Sequence, residues 1–151
     1  MPQPRRDAVQ QAVSLLARRE HSSRELRDKL RARSFSAEAV DVALATLREQ
    51  DLQSDYRFAE ACTRSLMERG YGSLRVAGEL RERGVSGDIA QEFESSAREG
   101  DLKRACEALR QKTRARTLER TQMLRFLSQR GYPGEIARRA VDAALQENQD
   151  D

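Results

Sequence analysis

The stretch ELRERGVSGDIA, residues 79–90, combines the end of a helix, a glycine turn and the start of a new helix. Related stretches stand upstream, KLRARSFSAEAV at residues 29–40, and downstream, FLSQRGYPGEIA at residues 126–137. The equivalent leucines are Leu30, Leu80 and Leu127, which are 50 and 47 residues apart. A recurrence of this length is typical of helical repeat proteins, in which each unit packs chiefly on its neighbours.

The chemistry of the turn explains why it is repeated. Arg83 complements the negative pole at the end of a helix, and Gly84 can adopt a positive φ that closes that helix. Val85 can fold back on the last turn, and Ser86 can accept hydrogen bonds from the first N–H groups of the next helix. The equivalents are Arg33, Ser34, Phe35 and Ser36 in the first copy and Arg130, Gly131, Tyr132 and Pro133 in the third. Because Ser34 replaces a glycine, we expect the first turn to differ slightly.

Apolar spacing around each turn indicates a three-helix unit. Leu26 and Leu30 lie four residues apart on one helical face, and Ser22 with Glu25 matches a capping box. Nowhere does an alternating pattern favour a strand. The sequence therefore predicts an all-α fold of three tandem three-helix, helix-turn-helix-like repeats that form an elongated, curved molecule. The predicted repeats are residues 7–52, 53–100 and 101–148.

Composition limits the partners and the location. The chain is 151 residues long with a net charge of +3, and it has 35% charged residues and 5% aromatic residues. No run of 18 apolar residues and no secretory signal is present, so we expect a cytoplasmic protein without a membrane partner. Residues 103–130 hold nine Lys or Arg against two Glu. This imbalance favours an anionic partner, or a solvated helix surface whose acidic complement lies on neighbouring helices.

No pattern of catalytic residues is found. The single histidine, His21, precedes a helix, and we interpret it as a solvated residue. Cys62 and Cys106 are 44 residues apart, match neither a zinc site nor a disulfide framework, and are interpreted as buried apolar side chains. Phosphate-binding glycine loops are absent. We therefore expect no enzyme, and no catalytic, cofactor-binding or metal-binding residue.

The middle repeat carries a recognisable set of residues, which are Leu52, Asp55, Arg57, Phe58, Ala59, Arg69, Gly70, Gly72, Ser73, Arg75 and Leu80 through Gly84. In these residues it resembles the RecX family, whose members regulate the RecA recombinase. The first repeat adds the family-like ELRDKLRARSFS, and the resemblance extends from about residue 7 to residue 147. Two departures are Ser34 in place of the usual glycine and Gln53–Ser54 in place of an apolar–acidic pair.

The resemblance implies a non-catalytic regulator, mainly an inhibitor, that acts in homologous recombination, DNA repair and the SOS response. Proteins of this family are crescents of three three-helix repeats. They lie in the groove of the RecA–DNA filament, hinder ATP hydrolysis and strand exchange, and limit filament growth. The expected partners are the RecA filament and DNA, the latter bound weakly or through RecA, and the expected state is a monomer.

The candidate partner contacts are basic residues of the second helices and of the third repeat, although solvation on a helix face is the more common role of any single residue of this kind. They are Arg27, Arg31, Arg33, Arg75, Arg81, Arg83, Arg116, Arg120, Arg125 and Arg130. Two alternatives stay open. One is an autonomous DNA-binding protein of the helix-turn-helix type, whose binding would weaken steeply with salt. Acidic residues on the second helices, such as Glu79 and Glu82, count against tight binding of that kind. The other alternative is a generic helical adaptor, which predicts no effect on RecA.

Overall fold

The computed structural model describes residues 4–150, with side chains from residue 6 onward, and every regular element in that range is a helix. The nine helices are α1 (Pro4–Leu16), α2 (Ser23–Ala32), α3 (Ala37–Glu49), α4 (Asp55–Glu68), α5 (Ser73–Glu82), α6 (Gly87–Arg98), α7 (Asp101–Ala115), α8 (Arg120–Gln129) and α9 (Gly134–Asp150). The predicted all-α fold with three successive helix triplets is confirmed for this part of the chain. None of these helices is long and apolar enough to cross a bilayer.

The helices group into two compact units. Unit 1 comprises Met1–Ala61 and Leu80–Ser86, and unit 2 comprises Cys62–Glu79 and Gly87–Asp151. The predicted repeat boundaries after residues 52 and 100 lie in connections between helices, but the division of the chain at those points stays a prediction. Helices α4 and α5 each contribute residues to both units.

Each unit has an apolar core built from helical stripes with spacings of three and four residues. In unit 1, α1 packs on α3, and the core residues are Ala12, Leu15, Leu26, Leu30, Val40, Leu44 and Leu47. In unit 2, α7 packs on α9, and the core residues are Ala105, Leu109, Leu118, Met123, Leu127, Tyr132, Ala137, Ala140 and Val141. Cys62 and Cys106 are partly buried, and Cys106 packs against the core of unit 2, so their interpretation as buried apolar side chains is confirmed only in part.

The three repeated turns have the same backbone conformation. Ser34, Gly84 and Gly131 have φ values of 71°, 84° and 87°. In each turn the residue after them donates its N–H to the carbonyl of the equivalent leucine, at 3.3 Å for Phe35, 3.0 Å for Val85 and 3.1 Å for Tyr132. The first turn differs only slightly, as expected: Ser34 adopts the left-handed conformation that glycine adopts in the other two, with a smaller φ and a longer hydrogen bond at Phe35.

In each unit, the aspartate that begins one helix triplet caps the second helix of the preceding triplet. In unit 1, Oδ1 of Asp55 accepts a hydrogen bond from the Ser23 N–H at 2.8 Å. In unit 2, Oδ1 of Asp101 accepts one from the Ser73 N–H at 3.0 Å. Each carboxylate lies at the N-terminus of two helices, its own and the one that it caps, where a negative charge is favourable. This interaction therefore joins successive triplets in both units.

In unit 2 the junction also brings two backbones into direct contact. The Gly72 N–H donates to the Arg130 carbonyl at 2.8 Å, and the Leu74 N–H donates to the Gly131 carbonyl at 2.9 Å. A Cβ atom at Gly131 would lie 2.4 Å from Cβ of Arg75 and 2.5 Å from its backbone nitrogen. Gly131 is therefore required twice, by its positive φ and by the close approach of α5.

Replacing Gly131 with alanine should lower the free energy of unfolding by about 2–4 kcal/mol, because the left-handed conformation and the overpacked contact both cost energy. Urea denaturation followed by circular dichroism measures the change. The matched control is Gly78→Ala in α5, where an added Cβ has no atom within 4 Å and alanine should stabilise the helix by up to about 1 kcal/mol. Equal stability of the two variants would contradict the close approach.

Candidate partner-binding site

Three guanidinium groups surround the ring of Tyr71 in unit 2. The Cζ atoms of Arg69, Arg75 and Arg130 lie 5.4, 4.9 and 5.0 Å from the ring centroid. Nη1 of Arg130 also donates to the Arg69 carbonyl at 2.9 Å. These four residues form the Tyr71 cluster, in which an aromatic ring holds three cations close together through cation–π attraction.

A cleft of about 560 Å³ adjoins the cluster. Its lining residues are Met67, Glu68, Arg69, Gly70, Arg104, Glu107, Ala108, Gln111, Lys112, Phe126 and Arg130. Lys112 Nζ and Arg130 Cζ lie 5.5 and 5.2 Å from the centroid of Phe126. The cleft thus combines an apolar floor with a mainly cationic rim, which suits a ligand that carries both negative charge and apolar groups.

Several cations of unit 2, among them Arg98, Arg110 and Arg120, have a close carboxylate partner, whereas two of the three in the Tyr71 cluster have none within residues 4–150. Arg104 pairs with Asp101 at 2.9 Å. Within residues 4–150, Arg69 and Arg130 have no carboxylate within ion-pair distance, and Arg75 has only Glu79 at 3.9 Å. The cluster therefore retains positive charge that the described part of the chain does not neutralise.

The corresponding place in unit 1 holds a carboxylate. Glu25 is 8% exposed and receives two hydrogen bonds from Arg19, at 3.2 and 2.8 Å, and one from Arg83 Nη1 at 3.0 Å. The Ser22 N–H also donates to Glu25 at 3.1 Å, and Ser22 Oγ accepts from the Glu25 N–H, which confirms the predicted capping box. Arg19, His21, Glu25 and Arg83 form the Glu25 cluster.

The two clusters occupy equivalent positions of the repeat. Counted from Leu30, Leu80 and Leu127, the residues Arg19, His21, Glu25 and Arg83 correspond to Arg69, Tyr71, Arg75 and Arg130. Both clusters contain two equivalent arginines, one just before the second helix of a triplet and one in the repeated turn of the following triplet. The glutamate is replaced by arginine and the histidine by tyrosine. Unit 1 therefore neutralises these cations internally, whereas unit 2 stacks them on a ring.

His21 is buried, at 2% exposure, so the interpretation as a solvated residue is wrong. Its Nδ1 lies 3.0 Å from the Arg19 carbonyl, and its Nε2 lies 2.8 Å from Nζ of Lys29. These partners fix the neutral ring with the proton on Nδ1, since a carbonyl only accepts and an ammonium only donates. Burial lowers the pKa of His21, and the charges of Arg19 and Lys29 lower it further despite the hydrogen bond to the Arg19 carbonyl.

Two further pKa shifts arise in the same place. Burial raises the pKa of Glu25, but the hydrogen bonds from Arg19 and from the Ser22 N–H, with the charges of Arg19 and Arg83, outweigh it, so the net pKa is lowered. The pKa of Lys29 is lowered by burial and by the charge of Arg19. The cluster is thus arranged around an ionised glutamate and a neutral histidine.

The predicted contact residues have different surroundings in the structure. Arg27 pairs with Asp41 at 3.4 Å, and Arg120 pairs with Asp142 at 2.6 Å. Arg31 donates to the Phe35 carbonyl at 3.0 Å. These pairs are exposed, and they agree with the alternative that acidic residues of neighbouring helices complement part of the basic surface.

The remaining candidates fall into three groups. Arg75 and Arg130 come together at Tyr71, and Arg83 is held by Glu25. The side chains of Arg33, Arg81, Arg116 and Arg125 are exposed on α2, α5, α7 and α8 or at their ends. The ten residues therefore do not form one site, and their role in binding a partner stays a prediction.

Sequence reasoning missed Tyr71, Arg69 and Phe126 as members of a site. The signal for Tyr71 was present, since an aromatic residue follows Arg69–Gly70 at the position equivalent to His21. The cleft had no signal, because its lining comes from helices that only the tertiary fold brings together.

The fold of nine helices in the described residues is shared with solved structures of small all-helical proteins. The chain superimposes on a crystal structure of RecX from Lactobacillus salivarius with a TM-score of 0.76 and 18% sequence identity, covering 95% of this chain and 96% of the other. A second crystal structure, of a regulatory protein RecX, gives a TM-score of 0.76 at 19% identity and covers 92% and 72% of the two chains. At these identities the likeness concerns the fold alone.

Sequence comparison identifies the family. Residues 8–47 match the family model described as RecX, first three-helix domain, and residues 54–92 match RecX, second three-helix domain. The chain is 38% identical over 145 residues to regulatory protein RecX of Chromohalobacter salexigens, covering 91% of this chain and 90% of the relative. It is also 38% identical over 143 residues to that of Halorhodospira halophila, covering 91% and 88%. The chain belongs to the RecX family.

The Glu25 cluster should make stability depend on pH. Because the pKa of His21 is lower in the folded than in the unfolded chain, its contribution is fully present above its ordinary value of 6.5 and is lost as pH falls through the folded value. We expect the free energy of unfolding to decrease from about pH 7.5 to about pH 5.5. The variant His21→Gln should show a smaller decrease in the same urea titrations, and an equal decrease would contradict the assignment.

Proposed function

We propose that this chain is a non-catalytic regulator, mainly an inhibitor, of the RecA recombinase. It binds in the groove of the RecA–DNA filament and limits ATP hydrolysis, strand exchange and filament growth. The observation that carries the proposal is membership of the RecX family, whose relatives over about 90% of this chain are named regulatory proteins. A regulator of this kind acts in the cytoplasm as a monomer and uses no cofactor.

The described surface supports binding of a large acidic partner more than it supports catalysis. The Tyr71 cluster presents three guanidinium groups, of which Arg75 alone has a carboxylate at ion-pair distance within residues 4–150, Glu79 at 3.9 Å, and such groups form strong charge-assisted hydrogen bonds with anions. Within residues 4–150 no three His, Cys, Asp or Glu side chains are grouped as metal ligands are. Contact with the filament would then be made through several charged groups along successive helix triplets.

DNA is proposed as a second, weaker partner that the protein meets mainly through RecA. Several basic residues of the predicted contact set already have carboxylate partners in the chain, among them Arg27, Arg83 and Arg120. A phosphate backbone would compete with those carboxylates, so few net contacts remain for autonomous binding. The dependence of DNA affinity on salt measures their number, because each phosphate contact adds to the slope.

The direct test is DNA-dependent ATP hydrolysis by RecA. Substoichiometric amounts of the chain should slow hydrolysis, and Arg116→Glu combined with Arg125→Glu should weaken that inhibition about tenfold or more, since two exposed cations become anions. The matched control is Arg138→Glu with Arg139→Glu, two exposed residues of α9 outside the predicted set.

Two outcomes would contradict the proposal in different ways. An unchanged hydrolysis rate at excess protein would exclude regulation of RecA and favour a helical adaptor for another protein. Equal loss of inhibition in both double variants would show that net charge, and not the predicted residues, governs the interaction.

A further inference from the structure

The Tyr71 cluster differs from the Glu25 cluster in one respect that points to a ligand. In unit 1 a carboxylate lies between two arginines, with Arg19 and Arg83 both donating to Glu25. In unit 2 the equivalent arginines, Arg69 and Arg130, are kept, but the position of the glutamate is occupied by Arg75. The second cluster has the cations of the first without its anion.

The fold does not need this concentration of charge. In unit 2 the junction is held by backbone hydrogen bonds from Gly72 and Leu74 and by the capping carboxylate of Asp101. Within the described residues, Arg130 adds one side-chain hydrogen bond at the junction, from Nη1 to the Arg69 carbonyl at 2.9 Å, whereas the guanidinium groups of Arg69 and Arg75 add none. Three like charges around one ring repel one another, and attraction to the ring and the Arg75–Glu79 pair at 3.9 Å offset part of that repulsion. A concentration of cations beyond what the junction uses suits a binding site.

We propose that the Tyr71 cluster binds a carboxylate group supplied by an acidic segment of a partner polypeptide. The ligand carboxylate takes the place that the Glu25 side chain takes in unit 1, accepting hydrogen bonds from the guanidinium groups of the cluster. Arginine suits this task, because its planar donors match the two oxygens of a carboxylate.

The adjoining cleft indicates what accompanies the carboxylate. Arg69 and Arg130 belong to both the cluster and the cleft, and Met67, Ala108 and Phe126 provide the apolar part of its lining. A segment whose carboxylate reaches the cluster therefore places a neighbouring side chain over this floor. A segment with an aromatic or large aliphatic residue between acidic residues fits both the cationic cluster and the apolar floor of the cleft. Burial of the apolar residue adds affinity that charge alone does not supply.

A single-stranded nucleic acid fits the same place less well. Bases bind such surfaces by stacking on exposed aromatic faces, whereas cations already lie near the rings of Tyr71 and Phe126. The cleft is also lined by Glu68 and Glu107, which repel a continuous phosphate backbone. A polypeptide with spaced carboxylates avoids both difficulties.

The proposal rests on the proposed function in one respect only, the identity of the protein that supplies the acidic segment, which would then be RecA in its filament. Binding itself can be measured without RecA. The probe is a fluorescent copolymer of glutamate and tyrosine with about four glutamates per tyrosine, compared with polyglutamate of the same length and with oligothymidylate of the same charge. Anisotropy titrations at low salt should give tighter binding of the copolymer than of either comparison polymer.

The decisive variant is Arg75→Glu, which supplies unit 2 with the carboxylate that unit 1 has. It should weaken copolymer binding about tenfold or more, while its melting temperature stays at or above that of the parent. The matched control is Arg139→Glu, an exposed residue of α9 with the same change in charge, which should alter affinity less than about twofold. A second variant, Arg69→Gln, removes one exposed member of the cluster and should weaken binding about threefold.

Three results would overturn the proposal. The first is that the parent chain does not bind the copolymer at low salt. The second is that Arg75→Glu and Arg139→Glu change affinity equally, which would leave only a general charge effect. The third is that oligothymidylate binds more tightly than the copolymer and loses that binding in Arg75→Glu, which would make the cluster a nucleic-acid site. None of these results depends on whether the chain slows RecA.

Discussion

The structure depends on a carboxylate shared between two helix N-termini. Asp101 is fully buried and accepts hydrogen bonds from both the N–H and the hydroxyl of Ser73, and it also pairs with Arg104. A buried charge is tolerated only when its hydrogen bonds are satisfied, so this aspartate fixes where α7 and α5 meet. Asp55 performs the same task for α2 at Ser23. Two equivalent contacts therefore set how each second helix is attached to the triplet that follows it.

Once the junction is fixed, the residues around it are free to vary. Both junctions place one arginine just before the second helix of a triplet and another at the end of the second helix of the following triplet. In unit 1 the space between them holds Glu25, and the cations are neutralised. In unit 2 it holds Arg75, and the cations gather on Tyr71. The same backbone thus supports a stabilising cluster in one unit and a charged surface in the other, which explains why only one of them is a candidate for binding.

The local signals in the sequence predicted the fold well, because they act over a few residues. The turn at Gly84, the capping box at Ser22 and the apolar stripes each follow from short-range geometry, and the structure confirms them. The surroundings of His21 could not be predicted in this way. Its ring lies between the carbonyl of Arg19 and the ammonium of Lys29, which is eight residues further along the chain. The Tyr71 cluster likewise requires Arg130, which lies about sixty residues away in sequence and reaches the ring only through the junction.

The unfolding free energy of Asp101→Ala compared with Asp88→Ala tests the role of the junction most directly. Both aspartates lie in the first turn of a helix, so their interaction with the helix dipole is matched, but Asp88 is exposed and Asp101 is buried. Loss of the Asp101 carboxylate should cost about 3–5 kcal/mol, because it leaves Ser73 and Arg104 without their partner. Loss of the Asp88 carboxylate should cost about 0.3–1 kcal/mol. Equal costs for the two variants would contradict the account, since they would show that the carboxylate contributes only as an ordinary helix cap.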